Sequence, residues 1–366
     1  MIPGMITQPQ KRRGTTKYGE NGTCTRESLV SLDLPDSVRK NLATWANLGL
    51  SKQTWSSYKT AERMFLQCLK ANGRKQELPV KDIDVLLFIE WLGTVRNLRA
   101  STIENYLAGL RQMHISKGIE PPEVHTKLVN QVLKGLKNKD AVEDRRNKKP
   151  RRLAMTKSIM LLLKELIRTW EKPKHKKIMT WSICTLAYAG SFRIHELLCR
   201  TEKVFDPDFD LLWEDVTRTD MTNPRDKRRI SIKLKCPKEN RTGKATIVDV
   251  FETGDHLCPI KAWDKWEKMG RKGDKTPVFA QEDGRLMTGQ KLNKVLRDLL
   301  QPHLGHRKGQ ITTHSFRAGI ATMLAEKGLS DNEIKTMGRW HSRAFEDYVK
   351  KPRTKRASLA RAIADF

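Results

Sequence analysis

Residues 311–349 read ITTHSFRAGIATMLAEKGLSDNEIKTMGRWHSRAFEDYV, and the helix signals in this stretch organise the rest of the chain. Thr312 or Thr313 stands where an N-cap is needed, and Gly328 stands where a left-handed residue ends a helix. Ser330 and Glu333 are spaced as a capping box, S-x-x-E, which predicts a second helix that Gly338 closes. His314 and Arg317 lie three apart, so they share a helix face and can aim at one small anion. Residues 343–348 predict a third short helix, carrying Tyr348, behind the turn Gly338-Arg339-Trp340-His341. A His, an Arg and a Tyr converging on a phosphate would make a phosphoryl-transfer site that needs no metal. Taken singly each part is weak: H-x-x-R arises by chance in an Arg-rich chain, and a Tyr on a short amphipathic helix is commonly core.

The remainder of the chain supplies the context. At 366 residues it is long enough for two domains with separate cores. A formal charge of +29 and a pI near 10.0 point to a polyanionic partner, most economically nucleic acid. Cys24, Cys68, Cys184, Cys199, Cys236 and Cys258 form no C-x-x-C pair, and no signal peptide precedes them. This fits reduced thiols in cytosol or nucleus and gives neither a disulfide framework nor a zinc module. No apolar run approaches the roughly 20 residues of a membrane span, so no membrane partner is expected.

Residues 1–33 are polar, with Lys11-Arg12-Arg13 embedded, and read as a flexible arm. Residues 34–139 read as a helical bundle. Ser51 caps a helix carrying Trp55, Tyr58, Phe65 and Leu69. Residues 80–92 form a buried helix, apolar at Ile83, Val85, Leu86, Leu87, Phe88, Ile89 and Trp91. Ser101 and Glu104 suggest a capping box that turns Ile103, Tyr106, Leu107 and Leu110 inward. A last helix places Leu128, Val132, Leu133 and Leu136 toward the core. Arg99, Asn105 and Arg111 are left outside, where they can grip a DNA backbone or form an ordinary solvated face. Residues 140–153 read as a basic linker with Arg145, Arg146, Lys148, Lys149, Arg151 and Arg152. Pro150 interrupts any helix there, and the cations suit phosphates or nuclear import.

Residues 154–349 open with helices at 156–170 and 178–188, followed by Ala189-Gly190-Ser191-Phe192-Arg193-Ile194-His195-Glu196. Arg193 starts a helix whose Glu196 can hold its own chain or orient the guanidinium. Strands are predicted at 211–216, 229–235 and 246–250, with a cationic hairpin tip at 236–244 that contains Lys238, Arg241 and Lys244. Asp206, Asp208 and Asp210 mimic a calcium loop. Leu211 and Thr217 stand where that loop needs Gly and Glu, and it is rejected. No metalloprotease, phosphate-loop or dinucleotide motif occurs. Residues 350–366 form a basic tail that ends in a short helix candidate.

An Arg after A-G-S-F, a Lys on a hairpin tip, H-x-x-R, a Trp-His turn and a following Tyr, in this order, resemble the tyrosine recombinase family. The segment from Gly338 to Tyr348 is most similar to recombinases of the eukaryotic Crypton and DIRS mobile elements. The resemblance implies a mainly α fold with a small antiparallel β-sheet (α+β), built as a helical core-binding domain followed by a catalytic domain. It implies that Arg193 and Arg317 clamp the scissile phosphate, that Tyr348 is the nucleophile, and that His314 is the general base. Among Lys235, Lys238 and Lys244, Lys238 best matches the general acid. For the extra phosphate donor the slot after Gly338 is Arg339, with Trp340 and His341 next; Trp340, then His341, are favoured. The partner it implies is double-stranded DNA, with Arg99, Asn105, Arg111, Arg145, Arg146 and Arg241 as the expected binding set. The resemblance further implies site-specific strand exchange through a Holliday junction, in a tetramer assembled by the tail, in the nucleus, with no cofactor. Three rivals stand beside it: a type IB topoisomerase with the same chemistry, a metal-dependent transposase or nuclease, and a DNA-binding protein that has lost catalysis.

Overall fold

The structure, a computed structural model, describes residues 35–117, 119–146, 153–220, 228–235, 245–304, 311–340 and 345–346. The arm at 1–33, the hairpin tip at 236–244, most of the third short helix at 343–348 and the tail at 350–366 lie outside them. So do residues 147–152 of the predicted linker. The chain divides into two compact units, Met1–Lys149 and Pro150–Phe366.

The first unit is helical: α1 (Asp36–Leu48), α2 (Lys52–Ala71), α3 (Asp82–Thr94), α4 (Ala100–Ser116) and α5 (Lys127–Arg146). Ser51 caps α2, its hydroxyl accepting from the Thr54 amide at 3.1 Å. Phe65, Phe88, Leu92, Ile103, Leu107 and Leu133 fill the core, with Phe65 and Phe88 edge to face at 5.2 Å. Gly109 lets α2 approach α4 closely, since a Cβ there would stand 2.6 Å from that of Ala61.

Four expectations for this unit are corrected. Helix α4 starts at Ala100, and its free amide donates to Asp140 of α5 at 2.8 Å, so the cap comes from a distant helix and Ser101 does not supply it. Glu104 instead pairs with Lys137. On α5 the inward residues are Val129 and Leu133, whereas Leu128 is 54% and Val132 36% exposed. On α3, Ile83 is exposed. Helix α5 also runs to Arg146, so the first half of the predicted linker is helix.

Buried His114 sets a pH dependence for this unit. Its Nε2 accepts from the Val80 amide at 3.0 Å, so Nδ1 carries the proton toward the Leu110 carbonyl at 2.9 Å, and the ring is neutral. Burial holds its pKa below the ordinary 6.5. The unfolded chain therefore binds the proton first, and stability falls as pH drops below that value, by up to about 1.4 kcal/mol per unit. Urea unfolding between neutral and mildly acidic pH checks this, with His114→Gln expected to flatten the profile.

The second unit holds α6 (Lys157–Thr169), α7 (Lys174–Ala189) and the one-turn α8 (Ile194–Leu197). A three-stranded antiparallel sheet follows, β1 (Val216–Thr219), β2 (Arg229–Leu234) and β3 (Thr246–Phe251), in the order β1-β2-β3. After it come α9 (Pro259–Gly270), α10 (Gly289–Leu300), α11 (His314–Glu326) and α12 (Asp331–Gly338). In β2, Ile230, Ile232 and Leu234 alternate inward, with Ile232 opposite Val216 and Val248. The predicted strand at 211–216 is a correction. Leu212 makes only a bridge to Pro277, Trp213–Asp215 form a 3-10 turn, and the strand begins at Val216. Trp213, Trp263, Trp266 and Phe279 pack together under the sheet, and α7 is buried on most sides.

The three aspartates of the rejected calcium loop tie down their own turn. Asp210 accepts from the Asp206 amide at 2.7 Å, and Asp206 from the Asp208 amide at 3.2 Å. Among the described residues no group of three or more His, Cys, Asp or Glu side chains is arranged to hold a metal ion. No helix among them is long and apolar enough to cross a membrane.

Candidate active site

Helix α11 is held at both ends and along one side. The Thr313 amide donates to Asn293 of α10 at 2.7 Å and the Thr312 amide to the Ser315 hydroxyl at 3.1 Å, while neither threonine side chain caps the helix. The Met155 amide donates to the Ser315 carbonyl at 2.8 Å, and Gly319 lies so close to this segment that a Cβ would stand 2.0 Å from the Met155 carbonyl oxygen. Gly328, at φ +84, ends the helix as expected. The result is a fixed platform with His314 exposed on its first turn and Arg317 buried one turn later.

Helix α12 is opened by the predicted capping box, with the Ser330 amide donating to Glu333 at 2.7 Å and the Glu333 amide to the Ser330 hydroxyl at 3.3 Å. Its end differs from expectation. Gly338 is still helical, and Arg339 takes the left-handed conformation at φ 53. Glycine is needed at 338 for space: the Trp340 ring folds back over it, within 1.5 Å of where a Cβ would be. The same ring lies under the Arg317 guanidinium, 4.6 Å from its centroid.

These two helix ends and the turn before α8 gather three arginines. Arg317 donates through Nη1 to the Ser191 carbonyl and through Nη2 to the Gly338 carbonyl at 2.8 Å. Arg339 reaches the same turn, donating to the carbonyls of Gly190 at 3.2 Å and Ser191 at 3.4 Å, with its guanidinium over Phe192. Its Nη2 also donates to Glu196 Oε2 at 2.8 Å. Arg193, the N-cap of α8, gives its backbone amide to Glu196 Oε2 at 2.9 Å and Nη1 to Oε1 at 3.1 Å. Two guanidinium groups, those of Arg193 and Arg339, thus hold one carboxylate whose side chain is 4% exposed, and Arg317 joins them through the Ser191 carbonyl that it shares with Arg339. An excess of cation over anion in a sheltered place suits a phosphate, which fits forked guanidinium donors.

Of the sequence-predicted residues, Arg193 and Arg317 meet on the Ser191–Glu196 turn, and His314 shares the helix of Arg317. Trp340 is present as an aromatic face, buried at 9% exposure, and the polar contacts of the turn come from Arg339. Lys238, His341, Tyr348 and Arg241 lie outside the described residues. Lys235, an alternative for the acid, is engaged in structure: its ammonium pairs with Asp215 at 2.7 Å and donates to the Pro207 carbonyl at 2.8 Å. His195 and Glu196 line a small cleft with Asp210, Lys233 and Lys235, beside the end of β2.

Solved structures with a similar fold are known. The chain is similar to the XerH site-specific recombinase bound to its difH substrate, with 14% identity, TM-score 0.56, and 88% of this chain and 83% of that chain covered. It is similar to the Tn1549 transposon integrase in complex with transposon right end DNA, at 17% identity and TM-score 0.54, covering 85% and 94%. It is also similar to a lambda integrase dimer bound to a COC' core site, at 15% identity and TM-score 0.51, covering 86% and 76%. The fold is that of the tyrosine recombinases. No family model and no curated protein matches the sequence.

In the first unit of this tyrosine recombinase fold, the residues expected to grip DNA differ in their commitments. Arg99 is held by Asp144 in a bidentate pair at 2.8 and 2.7 Å, which a phosphate would have to displace. Asn105 is exposed and Arg111 half-buried. Arg145 and Arg146 are exposed on the last turn of α5, with Arg145 Nε donating to the Ala141 carbonyl at 3.2 Å. Arg339, in the slot directly after Gly338 but placed behind Trp340 and His341 in the sequence analysis, makes polar contacts to Gly190, Ser191 and Glu196.

Proposed function

We propose that this chain is a site-specific DNA recombinase that cuts and rejoins strands by transesterification. The observation that carries the reading is the meeting of Arg193 and Arg317 on the turn from Ser191 to Glu196, within a fold shared with recombinases solved on DNA. In this reading the two guanidinium groups bind the scissile phosphate and stabilise the charge of its pentacoordinate transition state. Tyr348 attacks phosphorus through its phenolic oxygen, forms a 3′-phosphotyrosine and releases a 5′ hydroxyl. A phenol of pKa about 10 needs a base at neutral pH, and His314 takes its proton. Lys238 delivers a proton to the departing 5′ oxygen. The bond energy is kept in the phosphotyrosine, so the incoming strand needs neither ATP nor a metal ion to rejoin.

The finer features belong to the same proposal: a Crypton- or DIRS-like element as the parent, four protomers on two duplexes, exchange through a Holliday junction, and action in the nucleus. The charge of +29 supports the DNA partner. The test is covalent capture, in EDTA, from a pool of nicked duplexes of random sequence. Recovery of protein joined to a 3′ DNA end is expected from wild type and not from Tyr348→Phe. Two copies of the recovered sequence on a plasmid should then exchange; relaxation alone would identify a topoisomerase, and tight binding without a covalent product would identify a DNA-binding protein.

A further inference from the structure

We propose that Arg339 is a positioning residue of the strand-transfer site, acting through Glu196 and the Gly190–Ser191 carbonyls to aim the guanidinium of Arg193. The inference rests on the recombinase reading above and deepens it. Closing α12 does not call for arginine. The position is left-handed, at φ 53, where glycine or asparagine is the favoured residue and a longer side chain is strained. What an arginine adds is its fork, which is laid against the turn before α8. Nη1 meets Gly190 O, Nη2 meets Ser191 O and Glu196 Oε2, and the plane covers the Phe192 ring at 5.0 Å. Arg193 lies within this segment.

The coupling is direct. Glu196 Oε2 accepts from both Arg339 and the Arg193 amide, while Oε1 accepts from the Arg193 guanidinium. Removing Arg339 leaves the Glu196 carboxylate with its contacts to Arg193 alone. Strain gathers at the same point, because Ser191 is also left-handed, at φ 47, and its carbonyl accepts from both Arg317 and Arg339. Arg339 thereby links the two arginines expected to clamp the phosphate. Trp340 carries none of these contacts. It supports Arg317 from below.

The experiment uses the full chain and the DNA recovered by covalent capture. Arg339→Gly relieves the left-handed strain while deleting the fork, so folding survives and the melting temperature stays within about 4 °C of wild type. Equilibrium DNA binding should change little, whereas the single-turnover rate of covalent complex formation at saturating DNA should fall about a hundredfold, the usual cost of a misplaced catalytic group. Arg339→Lys should not restore it, since one ammonium cannot serve three acceptors in a plane. Arg339→Gly combined with Glu196→Gln should be no slower than the worse single variant, as expected of groups in one network. Wild-type speed in Arg339→Gly, or a loss that follows melting temperature and DNA affinity in parallel, overturns the inference alone. A wild type that binds DNA and never becomes covalent overturns the recombinase reading and this inference with it.

Discussion

Replacing Arg317 with alanine is expected to cut the rate of covalent complex formation about a thousandfold and to lower the stability of the second unit by about 2 to 4 kcal/mol. The two effects have separate origins. The rate loss follows from removing a forked cation at the phosphate, where oriented donors act in a sheltered site. The stability loss follows from the fold: the side chain is 4% exposed, and without it the Gly338 and Ser191 carbonyls lose a charged donor and the Trp340 ring loses its partner. Arg317→Lys separates them. It keeps the charge and part of the stack but not the fork, so most of the stability should return while the rate stays at least about a hundredfold down. Urea unfolding and single-turnover trapping together make the comparison. Equal recovery of rate and stability in the lysine variant would show that the residue is only a packing element.

The second large effect is expected at Gly319, which touches no part of the chemistry. Alanine there puts a methyl group 2.0 Å from the Met155 carbonyl oxygen and 2.7 Å from its carbon, and neither is the flexible end of a side chain. Helix α11 must then move away from the segment that enters α6, weakening the bond from the Met155 amide to Ser315. We expect a loss of about 3 kcal/mol or more, at the upper end of overpacking costs, seen as a melting temperature lower by roughly 10 °C. Gly135→Ala is the control. It lies within α5, nothing stands within 4 Å of its added Cβ, and helix propensity alone should stabilise by up to about 1 kcal/mol. Unfolding of Gly319→Ala at or above wild type would mean that α11 is not fixed by this contact.

The parts of the site that were legible in the sequence are those set by local chemistry. Ser330 and Glu333 form the capping box their spacing announces, Gly328 takes the left-handed place, and Glu196 returns to the Arg193 backbone one turn away. What was not legible depends on groups distant in sequence. Helix α4 is capped by Asp140, forty residues on, so Ser101 and Glu104 gave a local pattern that tertiary structure overrode. On α5, Leu128 and Val132 offer an apolar face as good as that of Val129 and Leu133, and only the partner helix decides which one is buried. The run from Leu211 to Val216 is apolar enough for a strand but is used to seat Leu211, Leu212 and Trp213 in the core. Helices α9 and α10 go beyond what the sequence predicts for this unit. At the turn after α12, an arginine in a left-handed conformation contradicts residue preference and is intelligible only once Gly190, Ser191 and Glu196 are seen around it.

Strand transfer by Tyr348 stands or falls on which atom of the protein becomes joined to DNA. The direct measurement is to digest the covalently captured complex with protease and locate the nucleotide-bearing peptide by mass spectrometry. The expected result is a 3′-linked nucleotide on Tyr348, formed in EDTA and missing when Tyr348 is changed to Phe. A nucleotide on any other residue, or wild-type protein that holds the same DNA tightly without ever becoming covalent, would contradict it.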